Sequence, residues 1–319
     1  MAERAINKKR TAIIGVGYVG ASIAYALTLR GIADEIVLID AFYEKSRGEA
    51  ADISHGIPFM GNPNVFVGSY SDIADCDLII ITAGRNRRKG ESRSDLVFEN
   101  IRMLKQIASE VSQHYTRGVI LVVTNPVDAA TYKFEQWMGL PLGRVFGTGC
   151  VLDTSRLTSA VSKYAGLTID NIRALVIGEH GDTQVPVWSR LFIAGITIAE
   201  YCGEMGLAWD DEQKKVLAER VRNMGASIIL DKERTHYGIA TCVSYIASAV
   251  LSNHKAVVPV SSTLQGEYGI SDIALSVPSI IGSKGIEKRI VERLEPLEFD
   301  ALHVSAKHLL EVQKHIMKM

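Results

Sequence analysis

The sequence predicts an α/β protein in which a doubly wound parallel sheet is followed by a second, mixed α+β domain. Three observations lead there. Over residues 11–150, short apolar runs alternate with longer helical patterns. The runs are apolar throughout rather than at every second position, as strands covered on both faces must be. From about Cys150 onward the alternation gives way to long helical stretches and, after Pro259, to hairpin-like segments. A chain of 319 residues with 47% hydrophobic content has the length and the apolar material for two such cores. The expected division is 1–149 and 150–319.

The strand candidates of the first half are TAIIGV (11–16), EIVLID (35–40), LIIITA (78–83), VILVVT (119–124) and the short VFG (145–147). Tyr18 to Arg30 and Leu96 to His114 carry apolar residues at helical spacing with charges between them. Right-handed crossovers then wind the sheet both ways, and ligands of such sheets sit at the carboxyl ends of the strands. In the second half, a helix over 153–165 leads into ALVIG (174–178), and a further helix covers 211–230. The segments SSTLQGEYG (261–269) and IALSVPSIIGSKG (273–285) carry the turn sequences GEYG and GSKG, and a helix over 298–319 closes the chain.

Composition narrows the class of function. Lys and Arg number 35 against 36 Asp and Glu, a formal charge of −1, which argues against nucleic acid or an acidic membrane surface as the main partner. The first ten residues are basic, but no apolar stretch of signal-peptide type follows. No run approaches the ~20 apolar residues of a membrane helix. The four cysteines (Cys76, Cys150, Cys202, Cys242) form no CxxC pair and have no histidine at metal-binding spacing, so no metal is expected. A soluble protein in a reducing, cytoplasmic setting is the expectation.

The strand TAIIGV runs directly into Gly15-Val16-Gly17-Tyr18-Val19-Gly20. In a GxGxxG turn the first glycine allows the tight bend, the second lets backbone approach a pyrophosphate, and the third lets helix pack on strand. The helix start then offers N–H groups and a positive dipole end to phosphate. The motif alone is weak, since glycine turns are common. Here the next strand ends in Asp40, 20 residues after Gly20, where a carboxylate accepts hydrogen bonds from the ribose of NAD and repels the 2′-phosphate of NADP. The first half therefore reads as a Rossmann-type NAD-binding domain. Thr82, Ala83 and Gly84, at the carboxyl end of the third strand, are counted with Gly15, Gly17, Val19, Gly20 and Asp40 in its cofactor site.

Three further segments carry charge where a strand or helix has no need of it. His180 stands between glycines in Gly178-Glu179-His180-Gly181-Asp182, directly after an apolar strand. It is either a solvated turn histidine or a general acid/base, as imidazole titrates near working pH. Asp153 and Arg156, three apart, share one helical face. They form a plain ion pair, or the aspartate orients a histidine while the arginine forks onto a carboxylate. The run Gly84-Arg85-Asn86-Arg87-Arg88-Lys89-Gly90-Glu91-Ser92-Arg93 is a solvated charged loop or a hinged lid that closes on an anion.

Taken together with TNPVD (124–128), GTGCVLDTSR (147–156), GEHGDTQVPVWS (178–189) and THYGIA (235–240), these segments make the chain resemble the NAD-dependent L-lactate/malate dehydrogenase family over residues 10–315. The resemblance implies a role for each matching residue. His180 would donate the proton in reduction and accept it in oxidation, with Asp153 holding its imidazole. Arg156 would bind the substrate carboxylate, and Arg93 would polarise the carbonyl. Asn125 would contact the nicotinamide ribose and the reacting oxygen. Thr235 and Ile239 would line the substrate and nicotinamide pocket. NAD would be the cofactor, residues 150–319 the substrate-binding and catalytic domain, and a homo-oligomer (dimer or tetramer) the assembly.

Within the family, two positions pull in different directions. GEHGDT and Thr235 are similar to the lactate enzymes. The residue six before the loop arginine is typically glutamine in those enzymes, and here it is Arg87, the choice of malate dehydrogenases, whose second carboxylate it can pair. L-lactate dehydrogenase is the expected activity, with malate dehydrogenase the alternative. An NAD-sensing regulator without the chemistry is the alternative from another class, and it would have no need of His180, Asp153, Arg156 and Arg93 together. The resemblance also bears on regulation. Many bacterial members bind fructose 1,6-bisphosphate through an arginine and a histidine at positions occupied here by Thr158 and Arg173. With one cation lost, activation is expected to be weak or absent; a steady-state titration with the sugar phosphate would contradict this by a large fall in substrate KM.

Overall fold

Strand β1 (Arg10–Ile14) is buried from its second residue on and starts a parallel sheet. The computed structural model describes residues 8–85 and 93–317. After β1 come α1 (Tyr18–Leu29), β2 (Glu35–Ile39), α2 (Tyr43–Gly56), β3 (Asn64–Val67) and β4 (Leu78–Ile81). They are followed by α3 (Arg93–His114), β5 (Val119–Val122), α4 (Val127–Met138) and β6 (Val145–Gly147). The six strands lie in the order β6-β5-β4-β1-β2-β3 and every neighbouring pair is parallel. This is the doubly wound order, with its reversal between β1 and β4, where a ligand crevice opens at the carboxyl ends. β4 and β5 are buried at every position, the physical ground of their unbroken apolar sequences.

Three elements of this half go unread in the sequence. β3 is four residues long with only Val65 buried. α2 is mostly charged and buries only Ser46, Ala50 and Ile53, a stripe too thin to give helical periodicity. α4 buries the run Val127–Thr131 and Phe134 behind a proline that marks its start.

The second half contains α5 (Val151–Ala165), the short strands β7 (Ile172–Arg173), β8 (Val176–Ile177), β9 (Val185–Pro186), β10 (Phe192–Ile193) and β11 (Ile196–Thr197), then α6 (Ile198–Met205) and α7 (Asp211–Lys232). It continues with α8 (Tyr237–Ser252), β12 (Ala256–Gln265), β13 (Ser271–Gly282), β14 (Gly285–Arg289) and α9 (Pro296–Met317). β8 pairs antiparallel with β9, and β10 with both β7 and β11.

The chain divides into two compact units. One takes in the chain up to Gly147 with His236–Ala256 and Ile280–Lys288; the other takes in Thr148–Thr235, Val257–Ser279 and the chain from Arg289 on. In the first, α8 packs along α1 through a buried face that includes Ala240, Val243, Ile246, Ala247 and Val250, and Arg30 Nη1 donates to Ser244 Oγ at 2.5 Å. In the second, one core joins Leu157 and Val161 of α5 to Val176, Ile198, Leu217 and Val221. A second core joins Ile177, Val185 and Val187 to Leu275, Leu302, Ala306 and Leu309. Among the described residues, no helix is long and apolar enough to cross a membrane. All four cysteines are buried.

Candidate active site

The glycine turn after β1 is set by close backbone approach. Gly15 has φ +98°, and a Cβ there would lie 2.4 Å from Ala83 N. At Gly20 a Cβ would lie 2.0 Å from the Gly15 carbonyl oxygen, so helix α1 can begin against the turn only if residue 20 has no side chain. Gly17 is different: a Cβ there would meet open space. As the N-cap of α1 it also supplies no side-chain cap, so no capping side chain masks the dipole at the helix start. The Thr82 hydroxyl donates to the Gly15 carbonyl at 2.5 Å, joining the end of β4 to the turn. Asp40, the first residue past β2, accepts the Val16 N–H at 2.5 Å on one oxygen and the Phe42 N–H at 2.9 Å on the other. An ionised carboxylate has about four acceptor positions, so two remain for a ribose. A tight turn, an open second glycine and an anchored carboxylate fit a dinucleotide.

The ends of β4 and β5 are tied together beside this turn. Thr124 Oγ1 donates to the Ala83 carbonyl at 2.8 Å. Asn100 of α3, only 3% exposed, accepts the Arg85 N–H at 3.1 Å and donates to the Asn125 carbonyl at 3.0 Å. Asn100 goes unnoticed in the sequence; its one signal is an amide inside the apolar face of a long helix. Asn125 Oδ1 accepts the Val127 N–H at 3.3 Å. Val19 lies in the first turn of α1, Gly84 just past β4, and Ile239 in the first turn of α8. Arg87 lies outside the described residues. Arg93 opens α3, and only its backbone is described.

In the second unit, Asp153, Arg156 and His180 come together. His180 Nδ1 is 2.5 Å from Asp153 Oδ2, and Arg156 Nη1 is 3.1 Å from Asp153 Oδ1. The Asp153 side chain is 3% exposed, that of Arg156 15% and that of His180 24%, so the pairing is buried while the imidazole reaches solvent. Burial by itself pushes the Asp153 carboxyl up, but the charge and hydrogen bond of His180, then those of Arg156, outweigh it and hold the carboxyl below its usual range. An ionised Asp153 fixes the proton on Nδ1 and leaves Nε2 as the nitrogen that exchanges protons. The alignment comes from the backbone: Val176 N–H of β8 donates to Thr154 Oγ1 at 3.0 Å, and Gly178 pairs in both directions with Ser276. Gly225 of α7 completes the surroundings of the arginine; a Cβ there would come 3.3 Å from Arg156 Nη2.

Thr235 is half-buried and ends this unit's segment, four residues before Ile239. Thr158 and Arg173 are engaged locally, Thr158 Oγ1 with the Thr154 carbonyl at 2.9 Å and Arg173 Nη1 with the carbonyls of Asp170 and Ile172 at 3.3 Å. Among the described residues, no group of three or more His, Cys, Asp or Glu side chains is arranged to hold a metal ion.

Comparison with known proteins agrees with this geometry. Residues 9–147 match the profile of the lactate/malate dehydrogenase NAD binding domain, and residues 150–319 that of the lactate/malate dehydrogenase alpha/beta C-terminal domain. An L-lactate dehydrogenase of Acetivibrio thermocellus is 40% identical over 306 residues, covering 96% of each chain. One from Thermoanaerobacterium saccharolyticum is 39% identical, covering 96% of this chain and 99% of its own. The crystal structure of the minor L-lactate dehydrogenase from Enterococcus mundtii, in a ligand-bound form, superposes with a TM-score of 0.93 at 38% identity over 97% of this chain and 98% of that one. Both halves of the chain thus belong to the lactate/malate dehydrogenase family, NAD-dependent oxidoreductases that act on CH–OH groups.

Proposed function

We propose that the protein is an L-lactate dehydrogenase, reducing pyruvate to L-lactate reversibly with NADH. The observation that carries this reading is the buried Asp153 carboxylate shared between His180 and Arg156. Reduction of a keto group needs a proton at oxygen and a clamp on the neighbouring carboxylate, and this arrangement supplies both. NAD supplies hydride chemistry at the nicotinamide when bound.

In this proposal residues 1–149 form the NAD-binding domain, to whose cofactor Ile239 adds a contact, and residues 150–319 form the substrate-binding and catalytic domain. Gly15, Gly17, Val19 and Gly20 receive the pyrophosphate, Asp40 the adenosine ribose, and Thr82, Ala83, Gly84, Asn125 and Ile239 the remainder. Arg156 forks onto the substrate carboxylate. His180 Nε2–H protonates the keto oxygen as negative charge develops there, and the ionised Asp153 stabilises the imidazolium beforehand. Arg93 and Asn125 polarise the same oxygen, and Thr235 sits beside the substrate. The lid that the sequence suggests over residues 84–95 has its central part, residues 86–92, outside the described residues.

The matched relatives bear the name L-lactate dehydrogenase, which supports pyruvate over oxaloacetate as the keto acid. The test compares kcat/KM for pyruvate, oxaloacetate and a bulkier 2-oxo acid, in wild type and Arg87→Gln. Pyruvate is expected to be preferred by the wild type; a preference for oxaloacetate would overturn the reading. If Arg87 faces the substrate, Arg87→Gln lowers the oxaloacetate/pyruvate ratio by about tenfold or more, since ~1.4 kcal/mol is a factor of ten. An unchanged ratio means the side chain points away. The assembly in this proposal is a homo-oligomer, dimer or tetramer, in a reducing cytoplasmic setting. Sedimentation equilibrium would refute it by returning a monomer.

A further inference from the structure

The segment 178–189 is fastened to α9 at both ends. At its start, the Glu179 N–H donates to the hydroxyl of Ser305 at 2.8 Å; Ser305 is fully buried. Gly178 makes that approach possible, because a Cβ there would come 2.9 Å from Ser305 Oγ. Thr183 Oγ1 lies 3.1 Å from the same hydroxyl. The Glu179 carboxylate then folds back across the turn: its Oε2 accepts the Thr183 N–H at 3.3 Å and also the Thr183 hydroxyl. At the far end, Ser189 donates its N–H and its hydroxyl to the two oxygens of Glu298 at 2.8 and 2.6 Å. Among the described residues, His180 is anchored both by its ring, on Asp153 of α5, and by its backbone, through Glu179, on α9.

We propose that Glu179 is a positioning residue for His180. Gripped by Ser305 and Thr183, it fixes the turn so that Nδ1 stays on Asp153 while Nε2 points at the substrate. The proposal rests on the acid/base reading of His180. A glutamate used only to brace a surface turn would contribute to stability; one that aims an imidazole must also show in its protonation and in the chemical step. Loosening the turn weakens the Asp153 contact that stabilises the imidazolium, and removing the Glu179 charge acts in the same direction, so the His180 pKa falls. Among the described residues, the charged groups around His180 in this reckoning include Asp153 and Arg156 on α5, Glu179 and Asp182 on its own segment, and His308 on α9, whose Nε2 is 3.6 Å from Glu179 Oε1.

The experiment uses Glu179→Gln, Ser305→Ala and the double variant. Each single variant is expected to lower kcat for pyruvate by about 5- to 50-fold with NADH Kd within about twofold of wild type. The double variant should fall no more than about twofold below the worse single, because both loosen the one turn that carries His180, Ser305→Ala at the Glu179 N–H and Glu179→Gln at its carboxylate. NMR titration of the histidines in the apoprotein should show the His180 ionisation constant changed at least about twofold, toward lower pKa. Wild-type kcat in Glu179→Gln, an unchanged His180 titration, or multiplicative losses in the double variant would each overturn the proposal. Should Ser305→Ala fail to fold, Glu179→Gln, which preserves side-chain volume at a partly exposed position, carries the test by its kcat and titration. The titration is read without substrate, so it separates this proposal from the acid/base reading, which the His180→Asn variant tests.

Discussion

His180→Asn is expected to lower kcat by about 10²- to 10⁴-fold while NADH binds as in wild type. Asparagine retains a polar group of similar reach, so the hydrogen bond to Asp153 has a replacement and the turn at Gly178–Asp182 is preserved. What it lacks is a proton that ionises near neutral pH. The buried Asp153, held ionised by His180 and Arg156 against its own burial, would then have no imidazolium to stabilise. Fluorescence titration with NADH and steady-state turnover of pyruvate, measured on one preparation, separate binding from chemistry. Turnover that survives with intact cofactor binding would refute the acid/base role.

Arg156→Lys is expected to raise the KM for pyruvate by about tenfold or more, again with NADH Kd unchanged. Lysine keeps the charge but not the planar fork, and a charged hydrogen bond is worth about 1.5–3 kcal/mol, or roughly 10- to 150-fold. Gly225→Ala tests the same arginine from outside. Its methyl group would come 3.3 Å from Nη2, so the guanidinium must shift by a few tenths of an ångström. A smaller rise in KM, with Tm close to wild type, is expected for that variant. If pyruvate KM is unaffected by both changes, the substrate carboxylate is held elsewhere.

Much of the first unit was legible because its signals are local. Buried parallel strands must be apolar at every position, and β4 and β5 are. The turn after β1 needs glycine for contacts made within a few residues and across one neighbouring strand. α2 was not legible, since three small buried contacts suffice to hold it while its charged face dominates the sequence. Asn100 was not legible either: its two partners belong to the ends of other strands, and an amide in a helix has many other uses.

In the candidate site, His180, Asp153 and Arg156 each stood out by residue type, but each also had an ordinary reading. His180 and Asp153 are 27 positions apart, and no periodicity connects them. The helix–strand clamp from Thr154 to Val176 and the pairing of Gly178 with Ser276 bring them within hydrogen-bond distance. The attachment of the His180 turn to Ser305, 126 residues beyond Glu179, had no trace in the linear pattern. The same is true of α8, whose apolar face suits a core or an interface equally well and which in the fold packs along α1. Local rules of chain geometry are written into neighbouring residues: which runs become strands, where the chain must bend, and where a dinucleotide fits. Which polar groups share a buried partner depends on contacts distant in sequence, whose energies exist only once the intervening chain has folded.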